Sequence, residues 1–316
     1  MMNRVSFGTF WAMRKLSLIL LLVSITYPLV GETSPEPHAS RDASRALNLA
    51  EERQAELREA RTRLQAVAAV FPDRVDQVAF RSGDWAILIE GDWFYWAGGR
   101  LLREGDRVRW REYSPVRFYS YYPGPARLRR LSPEREARLR GDLASIDARR
   151  PPRSPAFADA LYGIRNRAEA ESQMQEVSFL GLSTRIHRIA YDALKRVEAR
   201  IVDRAATDAE VSTFVGSLRS VHGYNWRNIA GSGSRSYHSY GLAIDLVPRS
   251  YGNLPVYWRW AAEAGWREWW RIPVEERWAP PQAVVDAFEA EGFYWGGKWL
   301  FFDNLHFEYR PEVFAF

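Results

Sequence analysis

The stretch "SRSYHSYGLAIDLVP", residues 234–248, decides the fold of the C-terminal half of this 316-residue chain. Its apolar run is typical of a buried strand, yet Asp245 interrupts that run. An unpaired carboxylate in an apolar environment carries a high free-energy cost. Gly241 permits a tight turn before the strand, which would bring His238 back over the face that carries Asp245. The sequence therefore predicts that His238 and Asp245 converge.

A second stretch near the C-terminus, "LHFEYR" at residues 305–310, shows the same alternation. Its apolar side chains point to one face, and His306 and Glu308 share the other. If the two strands are neighbours in one sheet, His238, Asp245 and His306 form a site with three ligands. Two imidazoles and one carboxylate suit a single Zn²⁺ ion, which keeps its fourth position for water. The cation would also neutralise Asp245 in its apolar surroundings.

Hydrolysis at such a site needs a further carboxylate that does not bind the metal and can move a proton. Asp303, shortly before His306, is the first candidate for this base. Glu308 is the rival, and it could instead support the metal ligands. The alternative for both histidines is a purely structural role, and the chain lacks the HExxH motif of many zinc proteases.

The two stretches resemble the signatures of one peptidase family. "SYHSYGLAID" (236–245) is similar to the Ser-x-His-x-x-Gly-x-Ala-x-Asp signature of VanY-like D-alanyl-D-alanine carboxypeptidases and phage-type L-alanyl-D-glutamate peptidases. "DNLHFE" (303–308) is similar to their second signature. The resemblance covers roughly residues 155–316. It implies an α+β fold, a small antiparallel sheet flanked by helices, and a bacterial cell-wall peptide as the substrate.

The resemblance also implies roles for individual residues. It assigns His238, Asp245 and His306 as ligands of one zinc ion and Asp303 as the catalytic base. The remaining candidates, for support of the ligands or contact with substrate, are Ser236, Tyr240, Trp295 and Glu308.

An arginine upstream of the first histidine binds the substrate carbonyl or carboxylate in such peptidases. Arg227, in "GYNWRNI", is the best match, and Arg235 is the alternative. A surface salt bridge is the alternative role for Arg227. The segment "WGGKW" (295–299) is more similar to the endopeptidase branch, whereas a Trp-rich insertion near 256–278 departs from both branches and could form a wall of the cleft. The bond that is cut therefore stays open.

The N-terminus carries a targeting pattern. Arg14 and Lys15 precede an apolar stretch that is too short for a comfortable membrane span, so residues 1–31 are predicted to be a signal peptide or an uncleaved anchor. Met13 is an alternative start. Either reading predicts an exported protein of the periplasm or cell envelope, touching the membrane only through this segment. The sequence does not indicate the oligomeric state.

The chain contains no cysteine, so disulfides, thiolate metal sites and cysteine nucleophiles are excluded. The net charge of +5 suits an anionic partner, but ordinary solubility explains it equally well. The Arg-rich region 126–154 is predicted to be a linker that does not bind nucleic acid, since it lacks regularly placed aromatic residues for base stacking. The rival functions are a nucleic-acid-binding protein and a non-catalytic cell-wall-binding protein.

Sequence patterns divide the rest of the chain into further predicted regions. Residues 32–75 are predicted to be a linker, over 32–44, and then an amphipathic helix from about Ala46 to Val70. Residues 76–125 are predicted to be a β-rich accessory region, with a hairpin at Gly91-Asp92 and further strands over 108–124. Residues 155–316 are predicted to be the zinc peptidase domain, in which Thr207 and Glu210 form a capping box.

Overall fold

The computed structural model describes residues 37–116, 121–140, 146 and 151–315. The predicted signal or anchor over residues 1–31 lies outside these described residues. Within the described part of the chain, no helix is both long enough and apolar enough to cross a membrane. From Glu51 onward the described residues belong to one compact unit.

The first helix, α1, runs from Pro37 to Val70. Residues 37–44, which were expected to be part of a linker, are therefore helical. A proline is well tolerated in the first turn of a helix, where its missing N–H has no partner to lose. Leu64 and Val67 are fully buried, so the C-terminal half of α1 carries the packing.

The β-rich region forms a four-stranded antiparallel sheet in the order β1-β2-β3-β4. The strands are β1 Gln77–Arg81, β2 Asp84–Ile89, β3 Asp92–Tyr95 and β4 Leu102–Arg103. The predicted hairpin is confirmed, but its turn residues are Glu90 and Gly91, whose φ angles of 52° and 82° suit a two-residue β-turn.

The prediction of strands over 108–124 is wrong for the residues of this range that the structure describes. Residues Glu104–Glu112 form a 3-10 helix instead. Arg107 pairs with Glu104, and Arg109 pairs with Asp106. Side chains three positions apart meet along a helical turn but not along a strand. These two ion pairs therefore favour the helix. Residues 117–120 lie outside the described part.

The C-terminal half mixes short helices and antiparallel strands. Its helices are α2 Pro133–Leu139, α3 Ala156–Tyr162, α4 Arg167–Gln173, α5 Arg188–Ala205, α6 Ala209–Ser217, α7 Trp258–Glu263 and α8 Gln282–Glu289. Its strands are β5 Met174–Phe179, β6 Leu182–His187, β7 Leu218–His222, β8 Ala243–Pro248, β9 Phe293–Trp295 and β10 His306–Tyr309. Strands β5 and β6 form a hairpin, and the other four form an antiparallel sheet in the order β7-β8-β10-β9. The expectation of a mixed fold with a small antiparallel sheet is confirmed.

Helix α5 buries one face, formed by Ala190, Ala193, Leu194, Val197 and Ile201, and contacts α6, α8 and β5. The capping box at Thr207 is wrong, because the N-cap of α6 is Asp208. Asp208 Oδ1 accepts hydrogen bonds from Glu210 N and Val211 N, whereas the Thr207 hydroxyl donates to a carbonyl of the preceding turn.

The register of the sheet positions the functional side chains. On β10, His306 lies directly opposite Asp245 of β8, and Glu308 lies directly opposite Tyr294 of β9. Directly opposed residues of an antiparallel pair point to the same face. The polar face of β10 therefore meets partners on both of its neighbours.

Candidate metal centre and substrate cleft

The structure brings His238, Asp245 and His306 together. One potential ligand atom from each lies within 4.8 Å of the others. The two oxygens of Asp245 diverge, so that Oδ1 lies 2.8 Å from His306 Nδ1 and Oδ2 lies 3.2 Å from His238 Nε2. His238 reaches this position from the 3-10 turn Tyr237–Tyr240, which ends at Gly241 in the left-handed region with φ of 62°. The tight turn expected from Gly241 is present.

The hydrogen bonding of His238 favours a cation between its ring and Asp245. Its Nδ1 lies 2.6 Å from the carbonyl oxygen of Gly223, which can only accept, so Nδ1 carries a proton. Nε2 is buried, and among the described residues it makes no hydrogen bond. In neutral imidazole its lone pair therefore faces a carboxylate oxygen of Asp245. Two such acceptors repel each other unless a cation lies between them, and a metal ion would satisfy both.

Gly223 permits this arrangement by its lack of a side chain. A Cβ at this position would lie 2.2 Å from the carbonyl oxygen of Arg185. That same carbonyl accepts a hydrogen bond from Tyr224 N at 2.6 Å, which holds the two chain segments together. Any other residue would therefore displace the Gly223 carbonyl from His238.

His306 contacts a carboxylate through each of its ring nitrogens. Nδ1 faces Asp245, and Nε2 lies 3.1 Å from Glu308 Oε1. Burial lowers the pKa of His306, but its hydrogen bonds to Asp245 and Glu308 outweigh burial and raise the pKa well above its usual value. A metal on Nδ1 would replace the proton there, and the Nε2 proton would still be donated to Glu308.

The two carboxylates beside the histidines both remain ionised. Burial raises the pKa of Asp245, but its interactions with His238 and His306 outweigh burial and hold the pKa below its usual range. Burial acts on Glu308 in the same way, but the hydrogen bond from His306 outweighs it and the pKa falls to about 2. Glu308 Oε2 also accepts a hydrogen bond from Tyr294 Oη at 2.6 Å. Glu308 is thus engaged at both oxygens and supports His306.

Asp303 lines the same cleft but lies outside the group of three ligands. Burial raises the pKa of its carboxyl to about 6, against the opposing charge of His306. Its backbone N–H donates to Gly296 O at 3.1 Å, which ties it to the end of β9. A carboxyl with a pKa close to neutrality suits a group that must take up and release a proton.

The two candidate arginines have different surroundings. Arg227 is exposed and lines the cleft, and its backbone N–H donates to Ser239 Oγ at 2.8 Å. Arg235 instead forms an ion pair with Asp159 and lies over the ring of Trp226 at 4.6 Å. The structure therefore leaves Arg227 in a position to meet a substrate, whereas Arg235 joins α3 to the loop before His238.

The remaining candidate residues differ in whether they line the cleft. Ser236 lines the cleft, and its Oγ accepts a hydrogen bond from His238 N at 3.3 Å. Tyr240 and Trp295 are buried and lie outside the cleft lining. The Tyr240 hydroxyl donates to Asp159 Oδ1, and Trp295 Nε1 donates to the carbonyl of Asn304. Both side chains therefore contact the scaffold of the site.

The Trp-rich insertion forms part of the cleft wall, as the sequence suggested, through four consecutive residues that were not singled out there: Tyr257, Trp258, Arg259 and Trp260. The only signal for this wall was the density of aromatic residues, which core packing also explains. Tyr294 was missed as well, because its contact with Glu308 depends on strand register.

Two family models match parts of the chain. A model described as D-alanyl-D-alanine carboxypeptidase matches residues 230–309, which include all three ligand candidates and Asp303. A model described as "Domain of unknown function (DUF8518)" matches residues 63–118, in the region of α1 and the first sheet. No solved structure matches this chain. The resemblance indicated by the two motifs is therefore confirmed: residues 230–309, in the C-terminal half, are similar to VanY-like D-alanyl-D-alanine carboxypeptidases, and this match supports a peptidase.

Proposed function

We propose that this protein is an exported, zinc-dependent peptidase that hydrolyses peptide bonds in the stem peptides of bacterial peptidoglycan. The observation that carries the proposal is the buried Nε2 of His238, which faces a carboxylate oxygen of Asp245 at 3.2 Å. This pair, together with His306 Nδ1, is a donor set that suits a divalent cation. The match to D-alanyl-D-alanine carboxypeptidases supports peptide hydrolysis.

The donor set favours zinc over other common cations. Two imidazoles and one carboxylate are typical of catalytic zinc sites, whereas Mg²⁺ and Ca²⁺ prefer oxygen ligands. Held by His238, Asp245 and His306, zinc would supply a Lewis acid that polarises the scissile carbonyl and lowers the pKa of a water to about 7. The hydrogen bonds from His238 to Gly223 O and from His306 to Glu308 would fix which nitrogen of each ring is the ligand.

The protein's own groups would divide the remaining work. Asp303 would take a proton from the attacking water and later give it to the nitrogen of the leaving amine, so that the proton is conserved. Arg227 would bind a carboxylate or carbonyl of the substrate at the mouth of the cleft. Glu308 would hold His306 without entering the proton transfer, because both of its oxygens already accept hydrogen bonds.

Separate features of the sequence support export and a cell-wall substrate. The basic, apolar N-terminal segment is typical of an exported protein, and peptidoglycan lies outside the cytoplasmic membrane of bacteria. The positive net charge suits an anionic wall polymer.

Mass spectrometry of purified peptidoglycan fragments tests the proposal. The zinc-loaded protein should release either terminal D-alanine or fragments cut between L-alanine and D-glutamate, and chelation should abolish the release. Asp303→Asn should retain the metal but lose the cleavage. Intact fragments after incubation with the metal-loaded protein would contradict a peptidase and favour a cell-wall-binding protein.

A further inference from the structure

The Trp-rich insertion is fixed directly to the segment that carries Asp303. Tyr257 pairs with Asp303 through an antiparallel bridge, and Trp258 N donates to the carbonyl of Phe302 at 2.9 Å. Trp258 belongs to a separate buried cluster, whose other members are Leu139, Ala261, Trp269, Trp270, Ile272 and Phe302. These contacts hold the beginning of α7 rigidly beside the hydrolytic centre.

Trp260 lies outside this cluster and differs from its tryptophans. It lies on α7 two positions after the buried Trp258 and is 50% exposed, although it lines the same cleft as the metal ligands. Its ring and the ring of Tyr257 meet edge to face, at a centroid distance of 5.6 Å and an angle of 89°. A half-exposed indole that lines a cleft offers apolar aromatic surface to a ligand.

Polar residues also line this cleft. The guanidinium of Arg259 donates to Ala230 O at 3.2 Å, so the insertion meets the loop that follows Arg227. Serines of this loop line the cleft, as do Ser114 and Arg153. A pyranose ring has an apolar C–H face and an edge of hydroxyl groups. The cleft offers an aromatic plane for the former and hydrogen-bonding groups for the latter.

We propose that Trp260 and Tyr257 form a saccharide subsite beside the hydrolytic centre. The preferred substrate is then a stem peptide that is still attached to its amino sugar, not a free peptide. This inference rests on the proposed peptidase function and specifies the substrate of that same site. The position of the subsite follows from the pairing of Tyr257 with Asp303, which places the aromatic wall next to the scissile bond.

Kinetics with a matched pair of substrates test the inference. One substrate is a stem peptide bearing the wall disaccharide at its N-terminus, and the other is the same peptide with an acetyl group there. The zinc-loaded protein should show a kcat/KM about fivefold or more higher for the first, the size expected for one aromatic contact. Trp260→Ala should remove most of this preference, mainly through KM.

Trp266→Ala is the matched control. Trp266 is 45% exposed and belongs to the same insertion, but it lines a separate surface depression with Arg271 and Pro273. Its replacement should leave the preference for the sugar-bearing substrate unchanged. Equal loss of kcat/KM for both substrates in Trp260→Ala would overturn the inference, since Trp260 would then contact the peptide or support the fold.

A binding measurement separates this inference from the proposed function. Zinc-loaded Asp303→Asn protein, which should not cut its ligand, is titrated calorimetrically with the disaccharide alone. Binding that is lost in Asp303→Asn/Trp260→Ala supports the subsite even if no peptide bond is cleaved. Absence of disaccharide binding, together with cleavage of both peptides at equal rates, would overturn the subsite and leave the peptidase intact.

Discussion

Asp245 and His306 face each other directly across β8 and β10, with Oδ1 and Nδ1 2.8 Å apart. The second oxygen of the same carboxylate faces His238 Nε2, so a single aspartate joins two histidines that are distant in the sequence. Because this aspartate belongs to a buried strand, the geometry of the centre is set by the sheet and not by a mobile loop.

Zinc should stabilise the fold, and Asp245 should be required for this effect. A ligand at a concentration about 100 times its Kd stabilises the native state by about 2.7 kcal/mol. We expect zinc to raise the Tm of the wild-type protein and to have little effect on Asp245→Asn, which keeps the size of the side chain but loses its charge. Thermal unfolding with and without zinc measures the difference. An equal shift in both proteins would place the metal elsewhere.

Replacement of Asp303 should separate catalysis from metal binding. We expect Asp303→Asn to lower kcat by roughly 100-fold to 10,000-fold, the usual contribution of a positioned acid–base group. Zinc affinity, measured by competition with a chromophoric chelator, should change little. Asp286→Asn is the control, because Asp286 is exposed on α8 and its carboxylate accepts a hydrogen bond from the side chain of Gln282.

Glu308 should influence the metal through His306. We expect Glu308→Ala to weaken zinc binding by about 10-fold to 100-fold, because the hydrogen bond that orients the imidazole is lost. Glu308→Gln should weaken it less, since its amide oxygen can still accept from Nε2. If Glu308 were the catalytic base, Glu308→Gln would instead abolish turnover while zinc affinity stayed at the wild-type value.

His187 should make the stability depend on pH. Its Nδ1 accepts a hydrogen bond from Ile189 N, and its Nε2 lies 3.3 Å from Tyr162 O, so both contacts suit the neutral ring. Burial lowers its pKa from 6.5 to about 4. This group binds protons more readily in the unfolded state, so its stabilising contribution is present above pH 6.5 and is lost as the pH falls towards 4.

The corresponding measurement compares the wild type with His187→Asn, in which the side chain can still cap α5 but does not titrate. With a chelator in both samples, the wild type should lose up to about 3 kcal/mol more stability than the variant between pH 7 and pH 4. Parallel stability profiles would assign the acid sensitivity to other groups.

The N-cap of α6 can be tested by two neighbouring substitutions. Asp208→Ala should lower the free energy of unfolding by about 1 kcal/mol, because Glu210 N and Val211 N lose their acceptor. Thr207→Ala should lower the free energy of unfolding much less, since the Thr207 hydroxyl does not cap this helix. Denaturant unfolding measures both values, and a larger effect at Thr207 would restore the capping box expected from the sequence.

Local patterns predicted the residue types at the centre. The alternation of apolar and polar residues in β8 and β10 was enough to place Asp245 and His306 on polar faces, and Gly241 predicted the turn that returns His238. The same reasoning failed over residues 108–112, where Val108 and Trp110, residue types typical of strands, lie in a 3-10 helix. It also chose Thr207 over Asp208, since adjacent polar residues carry the same local signal.

The role of Glu308 could not be read from the sequence. Its position left it equally suited to be a base or a support. The contact with Tyr294 favours the supporting role, and it depends on the register between β9 and β10. The function of the aromatic wall of the cleft could not be read from the sequence either, because core packing and substrate contact produce the same density of tryptophan.

By itself, the sequence determined the donor atoms available to a metal, their order along the chain and the strands that carry them. Tertiary structure alone decided which nitrogen of each histidine faces Asp245, which carboxylate remains available for proton transfer, and which tryptophan stays exposed. The physical reason is that alternation and turns are local properties of the chain, whereas register and burial depend on strands and insertions that meet only after folding.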